Sequence, residues 1–120
     1  MNFFFDTYAL IEIVKGNESY KKYAELVFTN NTLNLSEFYF FLLSKLGEGK
    51  ANETLKKFNF SFLEVSEEIA KSAAKFRKDN YKRELSYIDC IGFLLSQDVG
   101  FKFLTGDEFF EKMENVEFVR

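Results

Sequence analysis

The sequence has no histidine, no proline and a single cysteine, Cys90. Without histidine there is no imidazole base, no His-containing triad and almost none of the zinc-enzyme signatures. One cysteine cannot form an internal disulfide, a cysteine-built zinc site or a CxxC redox pair. A metal, if bound, must be held by oxygens. The lack of proline argues against a Pro-rich tail, and there is no internal repeat, low-complexity tract or evident linker. No stretch approaches the roughly 18 continuous apolar residues of a membrane span, so none is expected. The opening residues, Met1-Asn2-Phe3-Phe4-Phe5-Asp6, lack a basic region and a small-residue cleavage site and do not read as a signal peptide, so a cytoplasmic protein is expected. Positive charge is also scarce. Sixteen Lys and Arg face 19 Asp and Glu for a net charge of -3, which disfavours a bulk-basic nucleic-acid binder but not a local patch.

What the sequence does have is rings. Seventeen Phe and six Tyr stand among 120 residues, and they must fill a core or cover a partner surface. The length suits one domain over residues 1–120 with one core. The apolar run from Asn2 to Phe5 reads as a strand buried on both faces. Ala9, Leu10, Ile13 and Val14 follow at helical spacing, and Gly16-Asn17 stops that helix. Ser19 to Phe28 reads as a second helix, with Tyr20, Tyr23, Ala24 and Val27 on one face. Asn30-Asn31 reads as a turn and Thr32 to Leu35 as a short strand. Ser36 then looks like the N-cap of a helix carrying Phe38, Phe41, Leu42 and Leu46 and ending near Gly47. A helix over Glu48 to Phe58, a strand over Ser61 to Val65 and a helix from Ser66 to about Asp79 follow. That last helix places Ile69, Ala70, Ala73, Ala74 and Phe76 on its buried side. Ser86-Tyr87-Ile88-Asp89 fits a capping box ahead of Ile91, Leu94 and Leu95. Phe101 to Leu104 reads as a strand, Asp107 as the cap of a short helix through Met113, and Val116 to Val119 as a last strand. Strands alternating with helices call for an α/β fold, a three-layer α/β/α sandwich around a mostly parallel sheet.

In open α/β sheets ligands sit beyond the carboxyl ends of the strands. Asp6 follows the first strand directly, Glu37 lies just after the second, Asp107 follows the strand Phe101 to Leu104, and Asp89 opens the helix leading into that strand. Each acid has an ordinary explanation as a cap or a helix-dipole charge. Three of them, Asp6, Glu37 and Asp107, nevertheless fall near one edge of the sheet, with no lysine or arginine in the same short segments to pair with Asp6 or Glu37. Crowded carboxylates repel one another, and a hard divalent cation such as Mg²⁺ or Mn²⁺ relieves that conflict. Metal-assisted phosphodiester hydrolysis is chemically possible with such residues and no histidine.

With these residues the chain resembles the PIN domain family, and within it the small ribonucleases that act as VapC-type toxins. The resemblance is carried by Phe3-Phe4-Phe5-Asp6-Thr7-Tyr8-Ala9-Leu10-Ile11, by Leu35-Ser36-Glu37-Phe38, by Leu85-Ser86-Tyr87-Ile88-Asp89-Cys90-Ile91-Gly92 and by Phe103-Leu104-Thr105-Gly106-Asp107-Glu108-Phe109-Phe110. It implies that Asp6, Glu37, Asp89 and Asp107 ring a Mg²⁺ or Mn²⁺ centre and carry catalysis, with Thr7 and Thr105 as hydroxyl-bearing supports. It implies an RNA substrate, a cognate antitoxin protein and a homodimer. Tyr8 is bulkier than the family's usual residue, and Cys90 and Gly92 stand where Ala is more common, which leaves the pocket shape open.

The stretch from Lys71 to Arg83 carries Lys71, Lys75, Arg77, Lys78, Lys82 and Arg83 against Asp79 alone. It is either a solvated helix face or a phosphate-binding rim. The resemblance favours Lys82 and Arg83 as RNA-backbone contacts. Tyr87 is either a base-stacking ring or a core ring. Cys90 reads as a small buried residue, since nothing is available to activate it. Rings around Tyr20, Tyr23, Phe38 and Phe41 are expected to be covered by a second copy or an antitoxin segment.

The reading is thus a metal-dependent endoribonuclease, the toxin half of a toxin–antitoxin pair. Its alternatives are a PIN-like nuclease of RNA processing or quality control, a non-enzymatic α/β binding module whose acids are caps, and a receiver-type domain. The receiver is disfavoured because no strand-end lysine follows the last acid.

Overall fold

A computed structural model describes residues 2–120. Five strands, β1 (Phe3–Phe5), β2 (Phe28–Asn30), β3 (Phe60–Phe62), β4 (Lys102–Thr105) and β5 (Val116–Phe118), form one sheet in the order β3-β2-β1-β4-β5. Every pairing is parallel. Five helices connect or cover them: α1 (Thr7–Val14), α2 (Thr32–Leu46), α3 (Glu48–Leu55), α4 (Glu67–Asp79) and α5 (Tyr87–Val99). The α/β/α sandwich expected from the alternation of elements is the fold observed.

β1 is the central strand, and its three phenylalanines show why it reads as an unbroken apolar run. Successive side chains point to opposite faces. Phe5 packs with Leu10, Tyr20, Phe28, Phe38 and Leu42 in the layer made by α1, α2 and α3. Phe4 packs with Ile69, Phe93, Phe103 and Phe110 in the layer made by α4 and α5. A strand covered on both sides has no polar face to show.

Rings set the helix-to-sheet distance in the second layer. Gly92 sits in α5 directly over Phe4 and Phe103, and a Cβ there would lie 2.9 Å from the Phe4 ring. A side chain here would press on the Phe4 ring, so glycine lets α5 lie this close to a sheet built from phenylalanine. Gly92 therefore belongs to the core and does not shape the pocket. Cys90 is buried in the same layer. Burial, with the Asp89 charge adding, pushes its thiol up to about 11, the state of an inert packing residue.

Several expectations are corrected. Thr32 to Leu35 is not a strand: it is the first turn of α2, and β2 lies four residues earlier. The cap of α2 is Asn31, whose Oδ1 accepts from Leu33 N and Asn34 N, and not Ser36. Glu37 accordingly stands in the second turn, away from the helix N-terminus. The segment after Asn17 is a short 3-10 turn over Glu18–Tyr23, so Val27 lies outside it and is exposed. Tyr20, Tyr23 and Phe38 are buried within this chain and need no partner to cover them. The tyrosine hydroxyls tie their turn to the far edge of the sheet, donating to Val119 O and to Glu117, each at 2.6 Å. Of the α4 residues expected to be buried, Ala70 and Ala74 are exposed, while Ile69 and Ala73 are buried and Phe76 partly so. Among the described residues no helix is long and apolar enough to cross a membrane.

Candidate active site

All five strands run the same way, so their carboxyl ends share one edge of the sheet, and the acids collect there. Asp6 leaves β1 and caps α1, its Oδ1 accepting from Ala9 N at 2.8 Å. Asp107 leaves β4 after Thr105 and caps a one-turn 3-10 helix through Phe109 N at 3.0 Å. Asp89 is the third residue of α5 and completes the capping box, accepting from Ser86 N at 3.3 Å while its own N–H donates to Ser86 Oγ at 3.0 Å. These three aspartates line one open cleft of about 450 Å³ with Tyr8, Gly106, Glu108 and Arg120.

Asp6 is the buried member, only 4% exposed. Its carboxyl is pushed up to about 7, above all by loss of solvent. Hydrogen bonds to Thr105 and Ala9 oppose that rise, and the charges of Asp89 and Asp107 add to it. Burial also raises Asp89, against its Ser86 hydrogen bonds and with the Asp107 charge. Neither has a salt-bridge partner among the described residues.

Glu37 lies in an adjoining groove with Thr7, Ile11, Ser36, Phe40, Phe41 and Ser44. Thr7 links the two depressions. It follows Asp6 in sequence, and its hydroxyl donates to Glu37 Oε1 at 2.6 Å. Burial lifts the Glu37 carboxyl above its ordinary value; the Thr7 bond counters this and the Asp89 charge reinforces it. The structure thus places three of the four acids on one cleft and the fourth beside it, within electrostatic reach of Asp89.

The donor set suits a hard divalent cation, being anionic, oxygen-only and without a paired cation. The side chains as they stand are not closed around one: among the described residues no three acidic or sulfur groups are gathered tightly enough to hold an ion. Asp6, Asp89 and Asp107 each place one carboxylate oxygen on a neighbouring backbone N–H, and a carboxylate has a second oxygen to offer.

Thr105 is buried, bonds to the Asp6 carboxyl and accepts from Asp107 N at 3.1 Å, joining two acids through one hydroxyl. Lys82 and Arg83 sit in an exposed 3-10 turn between α4 and α5. Arg83 leans on the Phe109 ring at 5.3 Å, two residues beyond Asp107. Lys71 is paired with Glu67, and Arg77 donates to Leu85 O at 2.9 Å, so the basic stretch is not uniformly free. Tyr87 is exposed, with the Arg77 guanidinium 4.3 Å from its ring centre, and is not a core ring.

Three features of this region escape sequence reading. Tyr8 owes its bulk to Gly106: its ring lies so close that a Cβ on Gly106 would come within 2.1 Å of it. Arg120 bonds to Glu108 at the cleft mouth, which only the pairing of β5 with β4 reveals. Asn34 bonds to Thr7 from a segment whose pattern imitates a strand. The signal for Asn34 is its spacing, three residues before Glu37 on one helix.

Comparison with known proteins adds the family and the fold. The PIN domain family matches residues 3–116. No curated protein matches by sequence. Among solved structures, the chain is similar to the VapC20 toxin of Mycobacterium tuberculosis, described as cleaving the Sarcin-Ricin loop, with a TM-score of 0.80 at 18% identity over 99% of this chain and 100% of that one. It is similar to VapBC2 of Rickettsia felis bound to promoter DNA, with a TM-score of 0.76 at 15% identity over 100% of both. A toxin–antitoxin complex from Klebsiella pneumoniae gives 0.73 at 21% identity over 98% and 96%.

Proposed function

We propose, from the premise that this chain belongs to the PIN domain family, that it is a divalent-metal-dependent endoribonuclease and the toxin half of a toxin–antitoxin pair in the cytoplasm. The observation that carries the hydrolytic reading is the convergence of Asp6, Asp89 and Asp107, from three separate elements, on one cleft at the carboxyl edge of a parallel sheet. The toxin reading draws on the fold shared with toxins that cleave RNA or sit in complexes with antitoxins.

Asp6, Asp89 and Asp107 would hold Mg²⁺ or Mn²⁺, with Glu37 at the side. When bound, such an ion supplies the Lewis acidity that phosphodiester hydrolysis needs. The protein's own part is to set charge and direction. Thr105 holds Asp6 and the Asp107 backbone together, and Thr7 holds Glu37 by Oε1. Glu37, raised by burial, can take a proton at its other oxygen from a water attacking the phosphorus. Lys82 and Arg83 receive the RNA backbone without reading its sequence.

The test is cleavage of structured and unstructured RNA with Mg²⁺ or Mn²⁺, repeated with EDTA and with Asp6→Asn or Asp89→Asn. Cleavage that needs the ion and is lost in both variants, with folding retained, is the expected result. Undiminished cleavage in both variants or in EDTA would overturn the assignment.

A further inference from the structure

Asn34 lies one turn before Glu37 on α2 and is 2% exposed. Its Nδ2 donates to Thr7 Oγ1 at 3.1 Å, and Thr7 Oγ1 donates to Glu37 Oε1 at 2.6 Å. The direction of this relay is fixed by donor counting. A hydroxyl has one hydrogen, and a carboxylate only accepts. Thr7 must therefore give its hydrogen to Glu37 and take one from Asn34. Exchanging the nitrogen and oxygen of the Asn34 amide would set two acceptors against each other.

The remainder of the amide does nothing comparable. Asn34 Oδ1 has no hydrogen-bond partner despite its burial. A buried polar side chain with half of its capacity unused is a poor choice for packing. What this position supplies is a donor aimed at Thr7. The relay also joins the start of α1, beside Asp6, to α2, which carries Glu37.

We propose that Asn34 is a positioning residue for Glu37, its amide holding the Thr7 hydroxyl as a donor and so fixing the orientation of the Glu37 carboxylate. The proposal rests on the nuclease reading for its catalytic consequence but not for its geometry. Without the amide, the Thr7 hydroxyl is free to rotate and Glu37 loses its fixed partner. Supporting groups of this kind typically alter activity by roughly 10- to 100-fold.

The experiment compares Asn34→Leu, Thr7→Val and the double variant, with Asn34→Asp as a second variant that keeps shape but removes the donor. RNA cleavage with Mg²⁺ or Mn²⁺ gives kcat and KM, and thermal unfolding checks the fold. NMR of the protein without added metal reads solvent exchange of the Asn34 side-chain amide. The expected result is a fall in kcat of roughly 10- to 100-fold in Asn34→Leu and Asn34→Asp with KM unchanged. Thr7→Val should fall similarly, and the double variant no further than Thr7→Val. The Asn34 amide protons should exchange slowly in the parent and faster in Thr7→Val. Unchanged kcat in folded Asn34 variants, losses that multiply in the double variant, or an Asn34 amide insensitive to Thr7→Val would each overturn the proposal. A parent protein that cleaves no RNA with either ion defeats the nuclease reading instead, and the amide exchange then decides the relay by itself.

Discussion

Asp6 is a carboxylate that folding makes harder to ionise. Its unfolded value is near 3.8 and its folded value about 7, so between those limits the folded chain holds a proton that the unfolded chain lacks. Stability of the metal-free protein therefore falls as pH rises from about 4 through 7, and the deficit is complete above that. The raised values of Asp89 and Glu37 act in the same direction. Because the chain has no histidine, no imidazole titration overlies this window. Thermal unfolding without metal should show a higher Tm at pH 5 than at pH 8, and Asp6→Asn should remove much of the difference. The same pH slope in the variant and the parent would contradict the assignment of the shift to Asp6. Mg²⁺ or Mn²⁺ should raise Tm at pH 8 and barely at pH 5, since binding requires the ionised carboxylates, and EDTA should reverse the gain.

At the scale of elements, α2 decides how its own sequence should be read. Asn31 caps it, and replacing a capping Asn with Ala typically costs about 1 kcal/mol. Chemical denaturation should show that loss for Asn31→Ala, with little change for the exposed Ser36→Ala. A reversed ranking would restore the cap to Ser36. The strand-like reading of this segment has a physical source. Thr32-Leu33-Asn34-Leu35 alternates polar and apolar as a half-buried strand would, and Asn30-Asn31 has turn chemistry. In the fold Asn30 is instead a fully buried strand residue with both side-chain amide atoms unpartnered, which no propensity signals. The 3-10 turn at Glu18–Tyr23 imitates a longer helix because its two buried tyrosines are also spaced like a helical face. By contrast β1, α1, α4 and the capping box of α5 are legible, because each combines a clear period with a start or stop residue. The positions of the three aspartates are legible for the same reason, since they sit at element ends, whereas Glu37 lies in the second turn of α2. Arg120 and the packing of Tyr8 on Gly106 are not, because both depend on β5 lying beside β4.

For the molecule as a whole, the ribonuclease proposed above requires an acidic protein to attract a polyanion. Lys82 and Arg83 offer local positive charge on an exposed turn close to the Asp107 side of the cleft. Replacing both with Ala on an Asp6→Asn background should weaken RNA binding. It should also reduce the salt slope by about 0.7 for each phosphate of a single strand that is no longer neutralised. Binding titrations at several salt concentrations decide this, and equal slopes would make the turn an ordinary solvated surface. One apolar surface that a partner could cover lies on α2, where Phe40 is 72% exposed and Leu33 and Leu43 share its side of the helix. Light scattering should give a species near twice the chain mass, and Phe40→Glu should shift it toward one chain. A parent protein that stays monomeric at high concentration would contradict the homodimer.

The position of β1 has a consequence for synthesis. It is made before the other strands, yet it lies between β2 and β4, and β4 ends at Thr105. While a ribosome is still extending the chain, β1 has an open hydrogen-bonding edge and Phe4 lacks its stacked partner Phe103. Asp6 and Glu37 emerge early, but Asp107 can join them only once β4 and the turn after it have left the exit tunnel. The cleft cannot form on a shorter product, so any chemistry that depends on it waits until the fourth strand has docked.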